Sequence, residues 1–179
     1  MTARRGEIGT ALLGGLLTLA ATVLLPFHLG GGFGTLIAIG FLAGGLLLAA
    51  ASIGFAGSFP RDSGGRWLRN WALLGAAGFA VSGAGLVGDV VDRARVSAEI
   101  VAVVAVAAWW LAVGWRLRAA KPGRGFGRFS LLCALASVAA LAAEVAWEPP
   151  AGAVPARFAY LLWGPWGLWL ARVRARSRE

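Results

Sequence analysis

Residues 116–128 read Arg-Leu-Arg-Ala-Ala-Lys-Pro-Gly-Arg-Gly-Phe-Gly-Arg and lie between two long apolar runs. The stretch contains five cationic side chains and no acidic one. Basic loops of this kind stay on the cytoplasmic side of a membrane, because they are translocated poorly. The stretch therefore predicts a cytoplasmic loop, from which the other segments can be oriented.

The composition of the chain agrees with a membrane protein. Of its 179 residues, 59% are hydrophobic and 14% are charged, and the mean hydropathy is +0.74. A soluble domain has roughly 45–50% apolar and about 25% charged residues, so this chain has too few charges to cover a water-facing surface. No polar stretch is long enough to fold separately, and we expect one membrane domain over residues 1–179. The many arginines, alanines and glycines are typical of a GC-rich bacterial genome.

Six apolar runs predict an all-α integral membrane protein, a bundle of six transmembrane helices. At about 1.5 Å per residue each run can cross a hydrocarbon core of roughly 30 Å, although the sixth is marginal. The first run is longer than the apolar core of a signal peptide, about 7–15 residues, and we interpret it as a helix. The predicted helices are 8–29, 33–57, 67–88, 97–115, 129–147 and 156–171.

The distribution of charge predicts the orientation. Six crossings place both termini on one side, and fourteen of the seventeen lysines and arginines then lie on the side of the basic loop. Only Arg93, Arg95 and Arg157 lie on the other side. This asymmetry predicts a multi-pass protein of the cell inner (plasma) membrane with cytoplasmic N- and C-termini. It also explains the net charge of +9, so that no nucleic-acid partner is expected. The expected partners are membrane lipids, with anionic headgroups at the cytoplasmic face.

Small residues at four-residue spacing predict where helices approach each other closely. The first helix has such a stripe at Thr10, Gly14, Thr18 and Thr22, and the second has Gly40 and Gly44. The third helix has the longest series, and we expect it to be central, in contact with at least two other helices and little exposed to lipid. We also expect Pro165 to bend the sixth helix. The series in the third helix is Ala72, Ala76, Ala80, Ala84 and Gly88.

Acidic residues near the outer helix ends form the first candidate site. Glu144 lies about one turn inside the end of the fifth helix, in line with Ala136 and Ala140, and we expect it to face the bundle interior. An ionisable group at that depth suggests a functional site. With the rest of the outer acidic rim it could attract a cation or perform acid–base chemistry. Pairing with nearby arginines is the simpler explanation, and we favour it. The rim consists of Asp89, Asp92, Glu99 and Glu148.

Three tryptophans form the second candidate site. Trp109, Trp110 and Trp163 lie too deep in their helices for the aromatic belt at the membrane surface. They could line a pocket for a lipid, quinone, pigment or other apolar ligand. Filling of gaps beside the small residues of the third helix is the alternative, and we favour it.

The sequence predicts no catalytic residue, no metal site and no cofactor. One cysteine, Cys133, and one histidine, His28, are too few for a zinc site or a bis-histidine haem. Gly30 to Gly34 is interpreted as a tight turn, because a phosphate-binding loop needs a preceding strand. No charged residue lies in the middle of any apolar run, where proton relays and ion-coupled transporters usually have one.

Three functions remain open. The preferred one is a binding or accessory subunit for an apolar small molecule, a lipid or a partner membrane protein, because it requires no missing residue. A small transporter or channel is the second, and it would act as a homo-oligomer. A membrane enzyme that uses outer-face carboxylates is the third. On balance we do not expect an enzyme.

Overall fold

The computed structural model describes residues 5–24, 33–85, 93–118, 123–146 and 161–176, and almost all of these residues are helical. The prediction of an all-helical protein is confirmed. Four of the helices are long and apolar enough to cross a membrane, namely α1, α2, α4 and α5. The helices are α1 (Arg5–Leu24), α2 (Phe33–Gly57), α3 (Ser63–Gly85), α4 (Arg93–Leu117), α5 (Arg124–Ala146) and α6 (Trp163–Arg176).

Five of the six helix starts differ from those predicted, and only the start of α2 at Phe33 agrees. Two of the differences have a local cause. Helix α3 begins at Ser63, before residue 67, because Asp62 caps it: the Gly65 N–H donates to Asp62 Oδ1 at 2.6 Å. Helix α6 begins at Trp163, after residues 161 and 162 in a turn. Pro165 therefore lies in the first turn, where its missing N–H breaks no helical hydrogen bond. The predicted bend at Pro165 is wrong for this reason. With 14 residues, α6 is about 21 Å long, shorter than a hydrocarbon core.

The helices form a closed ring in chain order. Each helix packs against the next one along the chain, and α6 packs against α1. The contact between α5 and α6 is the sparsest of the six, and α2 also reaches α6. Consecutive helices are antiparallel: where α1 meets α2, for example, Gly40 lies beside Ala21 and Gly54 lies beside Glu7. The start of α1 also contacts the end of α6 through Glu7 and Arg174.

Glycines permit close approach at these interfaces. A methyl group at Gly15 of α1 would lie 2.8 Å from the backbone nitrogen of Leu168 in α6, closer than real contacts allow. A methyl group at Gly44 of α2 would lie 3.1 Å from the carbonyl oxygen of Gly14 and would also meet Thr18. The small-residue stripe predicted for α1 thus packs, at Gly14 and Thr18, against the predicted small residues of α2.

The predicted central position of α3 is only partly correct. It packs along α2 and α4 and touches α6 through Phe79, so it contacts at least two helices as expected, and Ala72 is buried. However, Leu73 and Leu74 are exposed and Ala80 is only half-buried. Helix α2 is more central, because it packs against α1 and α3, reaches α6, and touches α4 and α5 through Phe55. The small residues of α3 make room for a bulky side chain of α4: a methyl group at Gly75 would collide with Trp109.

Arginines of the described helices collect at one end of the ring. Because consecutive helices alternate in direction, this end contains the starts of α1, α3 and α5 and the ends of α2, α4 and α6. We call it the arginine-rich end. It holds eleven of the thirteen arginines in the described residues, and the other two, Arg93 and Arg95, begin α4 at the opposite end.

Candidate functional site

Aromatic side chains fill the interior of the helix ring. Eight rings from five helices are at most 1% exposed, and they are eight of the eleven largest fully buried side chains in the described residues. Phe and Trp bury large areas and prefer tilted or edge-to-face contacts. We call this set the aromatic core. It comprises Phe41 and Phe55 of α2, Phe79 of α3, Trp109 and Trp110 of α4, Phe126 of α5, and Trp163 and Trp166 of α6.

Phe79 and Trp166 each contact several other rings of the aromatic core. The Phe79 ring lies edge-on to Trp163 with centroids 4.8 Å apart, and it is 6.2 Å from Trp110. The Trp166 ring is 5.9 Å from Trp110 and 5.6 Å from Phe126. One continuous group of rings therefore links α3, α4 and α6, although α6 follows neither α3 nor α4 directly in the chain.

The indole N–H groups of the aromatic core have unequal environments. Trp109 Nε1 donates to Ser52 Oγ at 3.1 Å, and Trp166 Nε1 donates to Ser130 Oγ at 3.0 Å. Trp110 Nε1 is equally buried but has no hydrogen-bond partner. A buried donor without a partner costs about 1–3 kcal/mol, so an acceptor placed at Trp110 Nε1 would stabilise the protein.

Three buried hydroxyl groups add to this polar deficit, because Thr22 Oγ1 of α1, Ser82 Oγ of α3 and Ser137 Oγ of α5 have no hydrogen-bond partner. The helices of Ser82 and Ser137 flank the helix of Trp110. Native interiors leave few polar groups unpaired, and bound molecules account for some of those that are. The α3–α4–α5 side of the ring therefore holds three of the unpaired polar groups in the described interior, namely Trp110, Ser82 and Ser137.

The predicted tryptophans all lie in the aromatic core. Trp109, Trp110 and Trp163 are at most 1% exposed, and they pack against other rings as the favoured interpretation expects. A ligand-binding role for them stays a prediction. Trp166 was not among the predicted residues, although it lies three positions after Trp163 and so on the same helix face.

The predicted acidic site lies outside the described side chains and stays a prediction. Asp89, Asp92 and Glu148 lie outside the described residues, while Glu99 and Glu144 lie in α4 and α5 with side chains that are also outside them. The expected interior position is not found for the two alanines of this line, Ala136 and Ala140, and for Glu144 itself it stays a prediction.

The burial of α5 shows why. Ala136 is exposed and Ala140 is only half-buried, whereas Ser130, Cys133 and Ser137 form the buried face. The polar serines of α5 face the core because Ser130 is the acceptor for Trp166. The line of small alanines, Ala136 and Ala140, therefore does not mark the buried face of α5.

The sequence patterns did not predict a buried ion pair between Arg174 and Glu7. Arg174 near the end of α6 is 1% exposed, and its Nη2 pairs with Oε2 of Glu7 near the start of α1. The Arg174 Nε and Nη1 atoms have no hydrogen-bond partner. A signal was present: Arg174 follows Trp163, Gly167 and Leu170 at helical spacing, and all four are buried on one face.

Exposed tryptophans surround the arginine-rich end. Trp67, Trp115 and Trp169 are between 39% and 56% exposed. Trp67 and Trp115 lie near the ends of α3 and α4 that belong to it, and Trp169 of α6 stacks on Phe129 near the start of α5. The guanidinium carbon of Arg118 lies 3.4 Å from the centroid of the Trp115 ring. Exposed indoles beside cations are typical of a membrane–water interface.

Metal-binding groups do not cluster in the described part of the chain. No three His, Cys, Asp or Glu side chains lie together among those residues, and Cys133 is buried as a free thiol. In the comparisons with known proteins, no family model, no curated protein and no solved structure matches the chain significantly.

Proposed function

We propose that this protein is a six-span protein of the bacterial inner membrane, with both termini in the cytoplasm, that acts by binding. Its ligand is an apolar small molecule or lipid that carries an oxygen acceptor, held against Trp110. The single observation that carries this proposal is the buried indole N–H of Trp110, which has no partner beside two indoles that are paired with serines.

The arrangement of charges supports the membrane orientation. The arginine-rich end combines eleven of the thirteen described arginines with exposed tryptophans on three helices. Positive charge favours the cytoplasmic side, and tryptophans favour the interface. The pairing of Glu7 with Arg174 supports an even number of crossings, since it holds the start of α1 beside the end of α6.

The aromatic interior, without a charged group at mid-depth in the described residues, favours a binding function over transport. The described centre of the ring is occupied by large aromatic side chains, and its polar groups are serines and threonines with no charged group at mid-depth. Ion-coupled transporters usually need an ionisable residue there. An apolar site with a few polar groups is instead what small-molecule binding requires.

The ligand proposal is tested by a pair of conservative variants. Trp110→Phe removes the unpaired N–H, and Trp109→Phe removes an N–H that is already paired with Ser52. Each protein is purified in detergent, extracted with organic solvent, and analysed by mass spectrometry for small molecules other than bulk phospholipid. We expect a molecule in the parent and in Trp109→Phe, and its loss from Trp110→Phe. Equal content in both variants, or none in the parent, would contradict the proposal.

The orientation is tested independently by a reporter fused after Glu179. An alkaline phosphatase fusion, which is active only outside the cytoplasm, should be inactive there, and a fluorescent protein that matures in the cytoplasm should be bright. The reverse result would eliminate the six-span arrangement without affecting the test of the ligand.

A further inference from the structure

The guanidinium group of Arg174 has more donors than its partner can satisfy. Arginine carries five N–H donors and no acceptor. Glu7 engages Nη2, while the one N–H of Nε and both of Nη1 have no partner. Even if Glu7 rotated, its second oxygen could accept only part of this set. The guanidinium is always charged, so these donors cannot be removed by loss of a proton.

The described residues around Arg174 offer no acceptor to its Nε and Nη1 atoms. On the side of α2, the Phe55 ring lies 5.8 Å from the guanidinium carbon, and Phe55 in turn contacts Phe59 and Phe126. A cation over an aromatic face is stabilised, but the ring accepts no conventional hydrogen bond. Unsatisfied donors on a buried charge are costly, and an anion is the chemical group that would satisfy them.

The position of Arg174 indicates which anion. Arg174 lies between α1, α2 and α6 at the arginine-rich end, which is the headgroup level in the proposed orientation. Basic sites between helices at the cytoplasmic face are typical sites for phosphate-bearing lipid headgroups. Access would be through Glu7, whose side chain is 24% exposed while that of Arg174 is 2% exposed. Beside it, Gly54 presents no side chain, and a methyl group there would lie 3.2 Å from Glu7 Cγ.

We propose that Arg174 is the centre of a phosphate-binding site between α1, α2 and α6, in which the phosphate accepts hydrogen bonds from Nε and Nη1. The ligand class is a phosphate-bearing molecule, either an anionic phospholipid headgroup or a free phosphate. Glu7 competes with it for the guanidinium and covers the site when it is empty. This site is distinct from the one at Trp110, and it does not depend on the ligand proposed there.

The test measures phosphatidylglycerol binding by full-length protein in detergent, using native mass spectrometry and the shift of the thermal unfolding midpoint. Phosphatidylcholine and inorganic phosphate are the comparison ligands. Arg174→Gln should bind phosphatidylglycerol about tenfold more weakly than the parent, the effect of losing a charge-assisted hydrogen bond. Arg176→Gln removes the same charge from an exposed position on the same helix and should bind like the parent.

Glu7→Gln keeps the proposal testable if Arg174→Gln does not fold. Because it removes the competing carboxylate but leaves Arg174, it should bind phosphatidylglycerol more tightly than the parent. A purely structural ion pair would instead give weaker or unchanged binding. Stabilisation by inorganic phosphate as strong as that by phosphatidylglycerol would identify the ligand as the free anion. The proposal is overturned if phosphatidylcholine binds as well as phosphatidylglycerol, if neither phosphatidylglycerol nor phosphate binds, or if Arg174→Gln binds like Arg176→Gln.

Discussion

The indole N–H of Trp166 on α6 donates a hydrogen bond to the hydroxyl oxygen of Ser130 on α5 at 3.0 Å. These two helices share the sparsest interface of the ring, and beside the hydrogen bond the Phe129 and Trp169 rings stack with centroids 4.8 Å apart. The ring of helices is therefore closed at this seam by a small number of specific contacts at the arginine-rich end, and not by continuous packing.

Ser130→Ala should destabilise the protein for this reason. The substitution leaves a buried Trp166 N–H without an acceptor, which costs about 1–3 kcal/mol. Ser137→Ala is the matched control, because the Ser137 hydroxyl is also buried on α5 but has no partner. Thermal unfolding in detergent, followed by circular dichroism, should show a clear loss for Ser130→Ala and almost none for Ser137→Ala. Equal losses would mean that the hydrogen bond does not stabilise the seam.

The contact between α1 and α6 should be sensitive to a single methyl group. Gly15→Ala would place its Cβ 2.8 Å from the Leu168 backbone nitrogen, so the helices must separate at a cost of about 1–3 kcal/mol. Gly9→Ala is on the same helix with nothing within 4 Å of the added methyl, and alanine favours a helix by about 1 kcal/mol over glycine. The unfolding midpoint should thus fall for Gly15→Ala and stay level or rise for Gly9→Ala. A fall for Gly9→Ala alone would contradict the described packing.

Hydrophobic periodicity predicted the helices better than their ends. Long apolar runs are sufficient to indicate helices, because a membrane-spanning chain has few other ways to satisfy its backbone. The start of α3 depends on a cap at Asp62, and the start of α6 depends on Pro165 being tolerated in a first turn. Both are local hydrogen-bonding details that apolar periodicity does not record.

The candidate site was predicted less completely, for a physical reason that Arg174 illustrates. Positive charge near a terminus predicts a solvated basic tail, and nothing in one helix alone reveals that Glu7, far away in the sequence, neutralises it. Similarly, Trp109 and Trp110 are adjacent and look equivalent in sequence. Only the packing shows that Ser52 accepts from one of them and that the other has no acceptor.

Because one side of α3 is buried and the other is exposed, the effect of a larger side chain should depend on its position in this helix. Ala72 is 1% exposed, whereas Ala77 on the same helix is exposed. Ala72→Leu should overpack the bundle and cost about 1–3 kcal/mol, and Ala77→Leu should be nearly neutral because it adds apolar surface outside the core. The measurement is again the unfolding midpoint in detergent. If α3 were surrounded on all sides, Ala77→Leu would be as damaging as Ala72→Leu.

Orientation in the membrane should depend on the basic segment 116–128 more than on any other. Its five cations lie between the end of α4 and the first turns of α5, and neutral replacements would remove the largest local barrier to translocation. We expect replacement of all five by glutamine to give a mixture of orientations, measured by labelling of single cysteines from outside the cell in a Cys133→Ala background. Replacement of Arg93 and Arg95 by glutamine is the control, because it removes positive charge from the opposite end and should leave the orientation uniform. A uniform orientation after all five replacements would show that the remaining inner arginines suffice, and mixed orientation in the control would contradict the assignment of the two ends.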